Sequence, residues 1–189
     1  MTSQGKNAID ILLAESFKEL AKTRPIEKIT IKEITDKAGV IRPTFYNHFQ
    51  DKYELLEWIV QKELMEPVEP LLNNGMLKEG VTFVLTAIER EKEFYMKAVQ
   101  LEGQNSFTEV LKSCVANILI GHLAMDRLKE KVPYQWITPE LIADYYAQQL
   151  CYVTVVWIKG GMSEPLMELV EIYSQIINLS IIEVIQHLQ

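Results

Sequence analysis

The chain has 189 residues, 48% of them hydrophobic, with a formal net charge of −7 and only two cysteines. That length holds one large domain or a small one joined to a larger, with room for a substantial core, and the composition is that of an ordinary soluble protein. The negative sum argues at first against a nucleic-acid binder, but residues 1–60 carry nine basic and nine acidic side chains against ten and seventeen in the rest, so the acid is confined to the later part and a local basic face is permitted. Lys6, Asp10 and Glu15 break any secretory pattern. The longest apolar run, Cys151 to Ile158 with a single Thr154, is far short of the ~20 residues that span a bilayer. The expected location is the cytoplasm, with Cys114 and Cys151 read as buried reduced thiols inside apolar helical patterns.

In chain order, Ile9, Leu12, Leu13, Phe17 and Leu20 recur at helical intervals and predict a first helix that ends near Thr23, because Pro25 disfavours helix at Arg24. Ile26 and Ile29 should pack the linker onto a small core. Thr30 and Glu33 form a T-x-x-E capping box for a second helix whose Ile31, Ile34 and Ala38 face inward. Gly39 supplies the positive φ of a turn that Val40 plugs. A short third helix buries Phe45 and Phe49, four apart, and displays Thr44, Asn47 and His48. Asp51 caps a fourth helix through Tyr53, Leu55, Leu56, Ile59 and Leu64. Pro67, Pro70 and the Asn73-Asn74-Gly75 turn then mark the best candidate for a domain boundary.

Beyond Gly75 the pattern is helical throughout: near Met76 to Arg90, about Glu91 to Leu101, and from Ser106 to about Lys131 with Pro133 closing it. Thr138 and Pro139 are an N-cap and N1 pair for a helix to Lys159, which Gly160 and Gly161 end. The last helix starts around Ser163 to Pro165 and continues almost to Gln189. No strand alternation, repeat or low-complexity tract competes, so the fold class is all-α with about nine helices. The expected divisions are residues 1–50, a connecting helix over 51–66, and a larger helical part over 67–189.

Helix, glycine turn and short polar-faced helix make a helix-turn-helix, in which one helix braces another for entry into a DNA major groove. The glycine turn, Arg42, the TFYNHF run, Asp51 and Lys52 occur in the order and register of the DNA-binding domain of TetR/AcrR family transcriptional regulators, which this segment resembles. The resemblance covers about the first third of the chain; the remainder is similar in length and helical character. Ile41 departs from the family's small capping residue at that position, a loss worth about 1 kcal/mol that Pro43 partly offsets. The IRPTFYNHFQDKYELLEWI stretch also resembles a subgroup that includes activators of dihydroxyacetone kinase genes.

Candidate DNA-binding residues are Arg42, Thr44 and Asn47 at base edges, since Arg forks onto guanine and Asn onto adenine, and Tyr46, His48 and Lys52 at phosphates. The resemblance implies a small-molecule pocket in the second part, for which Phe83, Phe94, Tyr95, Met96, His122, Met125, Trp136, Tyr145 and Tyr146 are candidates. The final two helices are apolar over more of their surface than one core needs. In the family they pair with those of a second subunit, which assigns Val153, Val156, Trp157, Ile172, Ile176, Leu179 and Ile182 to a dimer interface; the alternative is that they serve one subunit's core. His48, His122 and His187 lie in different predicted helices with no cysteine or carboxylate at ligand spacing, so neither catalytic residues, a metal nor a cofactor is expected. The expected function is a dimeric regulator on a pseudo-palindromic double-stranded operator, a repressor released by a small-molecule effector. Two alternatives stand beside it: an activator controlled by a protein co-regulator, and a helical adaptor without DNA binding.

Overall fold

A computed structural model describes the backbone of residues 3–103, 105–122 and 136–178, and the side chains of residues 8–103, 105–121 and 136–175. Among the described residues there are ten α-helices and no strand: α1 (Ser3–Thr23), α2 (Ile31–Ala38), α3 (Arg42–Tyr46), α4 (Lys52–Ile59), α5 (Glu69–Asn73), α6 (Leu77–Arg90), α7 (Lys92–Ala98), α8 (Phe107–His122), α9 (Pro139–Lys159) and α10 (Leu166–Asn178). A 3-10 turn, Ile26–Lys28, links α1 to α2.

The caps sit where local chemistry puts them. Asp51 accepts from the amides of Tyr53 and Glu54 to start α4. Thr138 accepts from Leu141 ahead of Pro139, whose missing N–H is harmless in a first turn. α9 ends in a Schellman pairing: Gly161, at φ 76°, donates to Ile158 and Met162 donates to Trp157. The fourth helix does not simply continue to Leu64. At Val60–Met65 it widens into a π segment, with the Glu66 amide donating to the Gln61 carbonyl, a five-residue step.

The helices pack around one main core, with a small second cluster of Ala116, Ala143 and Ala147 between α8 and α9. The main core runs from Leu13 and Phe17 of α1 through Leu55, Leu56 and Ile59 of α4 to Phe94, Phe107, Trp157 and Tyr173. Phe17 meets Phe94 edge to face at 6.0 Å, so the first helix is packed directly onto the seventh, across the proposed boundary at Pro67 to Gly75. Lys18, one helical residue further, is 5% exposed and donates to Glu15 at 2.8 Å and to both carboxylate oxygens of Glu63 at 2.9 and 3.0 Å. α8 and α9 lie against each other, and α6 packs on α10. Among the described residues no helix is long and apolar enough to cross a membrane.

Candidate nucleic-acid interface

α2, the Gly39 turn and α3 form the helix-turn-helix, and each is set by near neighbours in sequence. The capping box is complete: Thr30 Oγ1 accepts from the Glu33 amide at 3.3 Å while Glu33 Oε2 accepts from the Thr30 amide at 2.8 Å. Those Thr30 bonds, backbone first, and the Arg24 guanidinium at 2.8 Å hold the Glu33 carboxyl down at about 2. Gly39 takes φ 68°, which a Cβ would oppose, and the Val40 amide returns to the Thr35 carbonyl.

α3 is held from beneath. Phe45 and Phe49 are buried with ring centroids 5.8 Å apart, and Phe49 meets Trp58 of α4 at 6.1 Å. Above them Arg42, Tyr46 and Asn47 are exposed and Thr44 is half-buried. Arg42 Nη2 lies 3.4 Å from the Tyr46 hydroxyl, a long contact that leaves the guanidinium's other donors to solvent.

Two of the residues assigned to phosphate are spent inside the protein. Lys52 Nζ donates to the carbonyls of Ile26, Glu27 and Ile29 at 2.9, 2.7 and 2.9 Å. All three of its protons therefore close the end of the 3-10 turn, and burial pushes its pKa down. The His48 side chain is 2% exposed, with Nδ1 against Oδ1 of Asp10 in α1. It pins the end of α3 to the first helix instead of facing outward. Lys28 and Lys37, which carry no assignment from the sequence, are exposed and without an ion pair among the described residues; they sit among charged neighbours such as Lys32, which pairs with Asp36 at 2.6 Å, so spacing alone does not single them out.

In the larger part an apolar cavity of about 120 Å³ opens between the π segment and α5, α6, α8, α9 and α10, walled by Met65, Val84, Leu111, Leu150 and Tyr173 among others. In its wall Thr154 lies beside the Tyr173 hydroxyl, which donates to the Leu150 carbonyl. None of the aromatic residues assigned to a pocket lines it. Phe94 and Tyr95 are fully buried in the core, the Tyr95 hydroxyl without a partner among the described residues. Phe83 borders a shallow groove on α6, and Met96, Trp136, Tyr145 and Tyr146 are exposed. Aromaticity marks size, and the cavity is instead walled largely by aliphatic side chains. Of the interface assignments, Val156 and Ile172 are exposed and Val153 is half-buried, but Trp157 is buried in its own subunit, its indole donating to the Glu164 carbonyl at 3.1 Å. Met125, Leu179 and Ile182, and the side chains of His122 and Ile176, lie outside the described residues.

A small helix-turn-helix unit with an exposed polar recognition face, joined to a larger helical part, defines a DNA-binding transcriptional regulator. A profile of bacterial regulatory proteins of the tetR family matches residues 16–59, and one described as a transcriptional regulator C-terminal region of the same family matches residues 76–179. The chain belongs to the TetR family. Family members bind DNA and act as dimers with effectors, and they are regulators, not enzymes. The HTH-type dhaKLM operon transcriptional activator DhaS of Lactococcus lactis subsp. lactis (strain IL1403) is 27% identical over 175 residues, covering 92% of this chain and 89% of that protein. A solved structure of the dihydroxyacetone kinase operon activator DhaS aligns with TM-score 0.58 at 25% identity, over 90% of this chain and 92% of that one. That of Thermus thermophilus FadR, a TetR family repressor in complex with lauroyl-CoA, aligns with TM-score 0.54 at 22% identity, over 86% and 89%, and shares the fold.

Proposed function

We propose that the chain is a cytoplasmic homodimer that reads a pseudo-palindromic operator in double-stranded DNA, represses from it and is released by a small uncharged effector. One observation carries the reading: Phe45 of α3 and Phe49 just beyond it turn inward and leave Arg42, Tyr46 and Asn47 in solvent on a rigid support. Arg42 is suited to the O6 and N7 of guanine and Asn47 to the N6 and N7 of adenine, with Thr44 at a neighbouring base edge. Tyr46, Lys28 and Lys37 then meet phosphates, the duty that Lys52 and His48 do not perform. The dimer is supported by Leu141, Tyr145, Tyr152 and Val156, exposed at helical spacing on α9, beside Met167 and Ile172 on α10.

The cavity supports the effector. An apolar cavity of about 150 Å³ is known to hold benzene, so the present volume suits a compact, neutral, mainly hydrocarbon group. A binder of this kind shifts the regulator only by its differential affinity for two dimer shapes. Likeness to DhaS, named as an activator, supports a second reading in which the bound dimer recruits transcription.

The test is selection of duplexes from a random pool by the full chain at two salt concentrations, with Arg42→Ala and Tyr46→Ala as controls, followed by transcription from a template carrying the recovered site. Enrichment of a salt-sensitive palindrome weakened by both changes is the expected result. Failure of a folded dimer to enrich any sequence overturns operator reading and leaves the adaptor. The transcription step decides between repression and activation.

A further inference from the structure

Ile41 is 69% exposed, more than any other large aliphatic residue among those described, and stands immediately before Arg42. It is the N-cap of α3, with extended backbone at φ −88° and ψ 152°, and makes no side-chain capping bond. A capping side chain accepts from the amide of the second or third helical residue. Here the second is Pro43, which has none, and the third, Thr44, already donates to the Ile41 carbonyl at 2.9 Å. The geometry thus releases position 41 from capping, and nothing in the fold buries the side chain placed there. Its neighbours on this face, Arg42, Tyr46 and Asn47, are polar, while Phe45 and Phe49 point inward.

We infer that Ile41 is a specificity-determining residue that packs against the 5-methyl group of a thymine in the operator. In the major groove only thymine offers an alkyl group, and an apolar side chain reads it where a hydroxyl would turn to phosphate. A β-branched residue has a stiff χ1, so its methyl groups are presented in a fixed direction with little rotamer freedom to lose. The contact lies next to the bases read by Arg42 and Asn47, and the inference rests on the operator reading above.

Each thymine of the recovered palindrome is replaced in both half-sites by deoxyuridine, which removes the methyl group and nothing else, and binding is measured for the wild type and Ile41→Ala. At one symmetric thymine pair the replacement weakens wild-type binding roughly fifteenfold, about fourfold per half-site for one methyl returned to water, and leaves Ile41→Ala unaffected. Other thymines affect both proteins equally. Equal thermal melting of the two proteins excludes a folding effect. If no thymine distinguishes them, while both bind the palindrome, the inference is overturned and operator reading stands. If the wild type binds no duplex selectively, operator reading falls and this inference with it.

Discussion

Lys52 stands at the first position of α4, where the helix dipole repels a cation, and the fold accepts it because Ile26, Glu27 and Ile29 present three carbonyl oxygens to its ammonium. This bracket ties the start of α4 to the linker that positions α2. Hydrogen bonds to a charged group contribute about 1.5–3 kcal/mol each when buried and less near water, so Lys52→Met is expected to lower stability by about 2–3 kcal/mol in a urea melt. It is expected to leave the dependence of operator affinity on salt unchanged in slope. A phosphate contact predicts the reverse: little loss of stability, and a slope smaller by about 0.9 for each contact removed. The sequence displays Lys52 but not its partners, which lie 23 to 26 residues back; the same is true of His48 and Asp10, 38 apart. Thr30 with Glu33, Gly39 and Asp51 were legible because each acts within four residues.

The π segment is the element that joins the two parts of the chain. It continues α4, sends Glu63 to the buried ammonium of Lys18 in α1, and contributes Met65 to the cavity wall. Nothing in the run VQKELM distinguishes it from ordinary helix, since a π step depends on how the helix is gripped at both ends, and propensity is silent on that. Lys18 reads in sequence as a solvated charge between Phe17 and Glu19. It is buried because α1 lies against α7, whose preceding residue Glu91 places a third carboxylate 3.9 Å away. Desolvation opposes the charge, and the bonds to Glu15 and Glu63 outweigh it, so the lysine pKa is raised. Replacing Lys18 with Met strands Glu63, about a quarter exposed, and leaves Glu91 with Lys22 at 3.9 Å as its partner. The expected cost is about 2–3 kcal/mol, below the 3–5 of a fully buried pair because water still reaches the carboxylates. Glu63→Gln made together with Lys18→Met should recover part of that loss. Strict additivity of the two changes in urea melts would show that the tie contributes nothing to the junction.

At the scale of the whole molecule the helical plan was legible because apolar periodicity and capping residues are local signals, whereas assignment of apolar side chains to core, cavity or interface was not. A buried and an exposed residue can share one helix turn: Trp157 is core and Val156, beside it, is half exposed. The stripe of Leu141, Tyr145, Tyr152 and Val156 on α9 leaves apolar area that no described residue covers. In the proposed homodimer a two-fold axis covers it with its own image, and two recognition helices about 34 Å apart would match successive major grooves on one side of B-DNA. Val156→Glu then brings like charges together across the axis without touching the subunit's own core. Sedimentation is expected to show a folded monomer, with unchanged helical circular dichroism, and operator binding reduced to the weak affinity of a single half-site. A dimer that survives this change places the interface elsewhere on the chain, and a loss of helicity would mean that Val156 supports its own subunit.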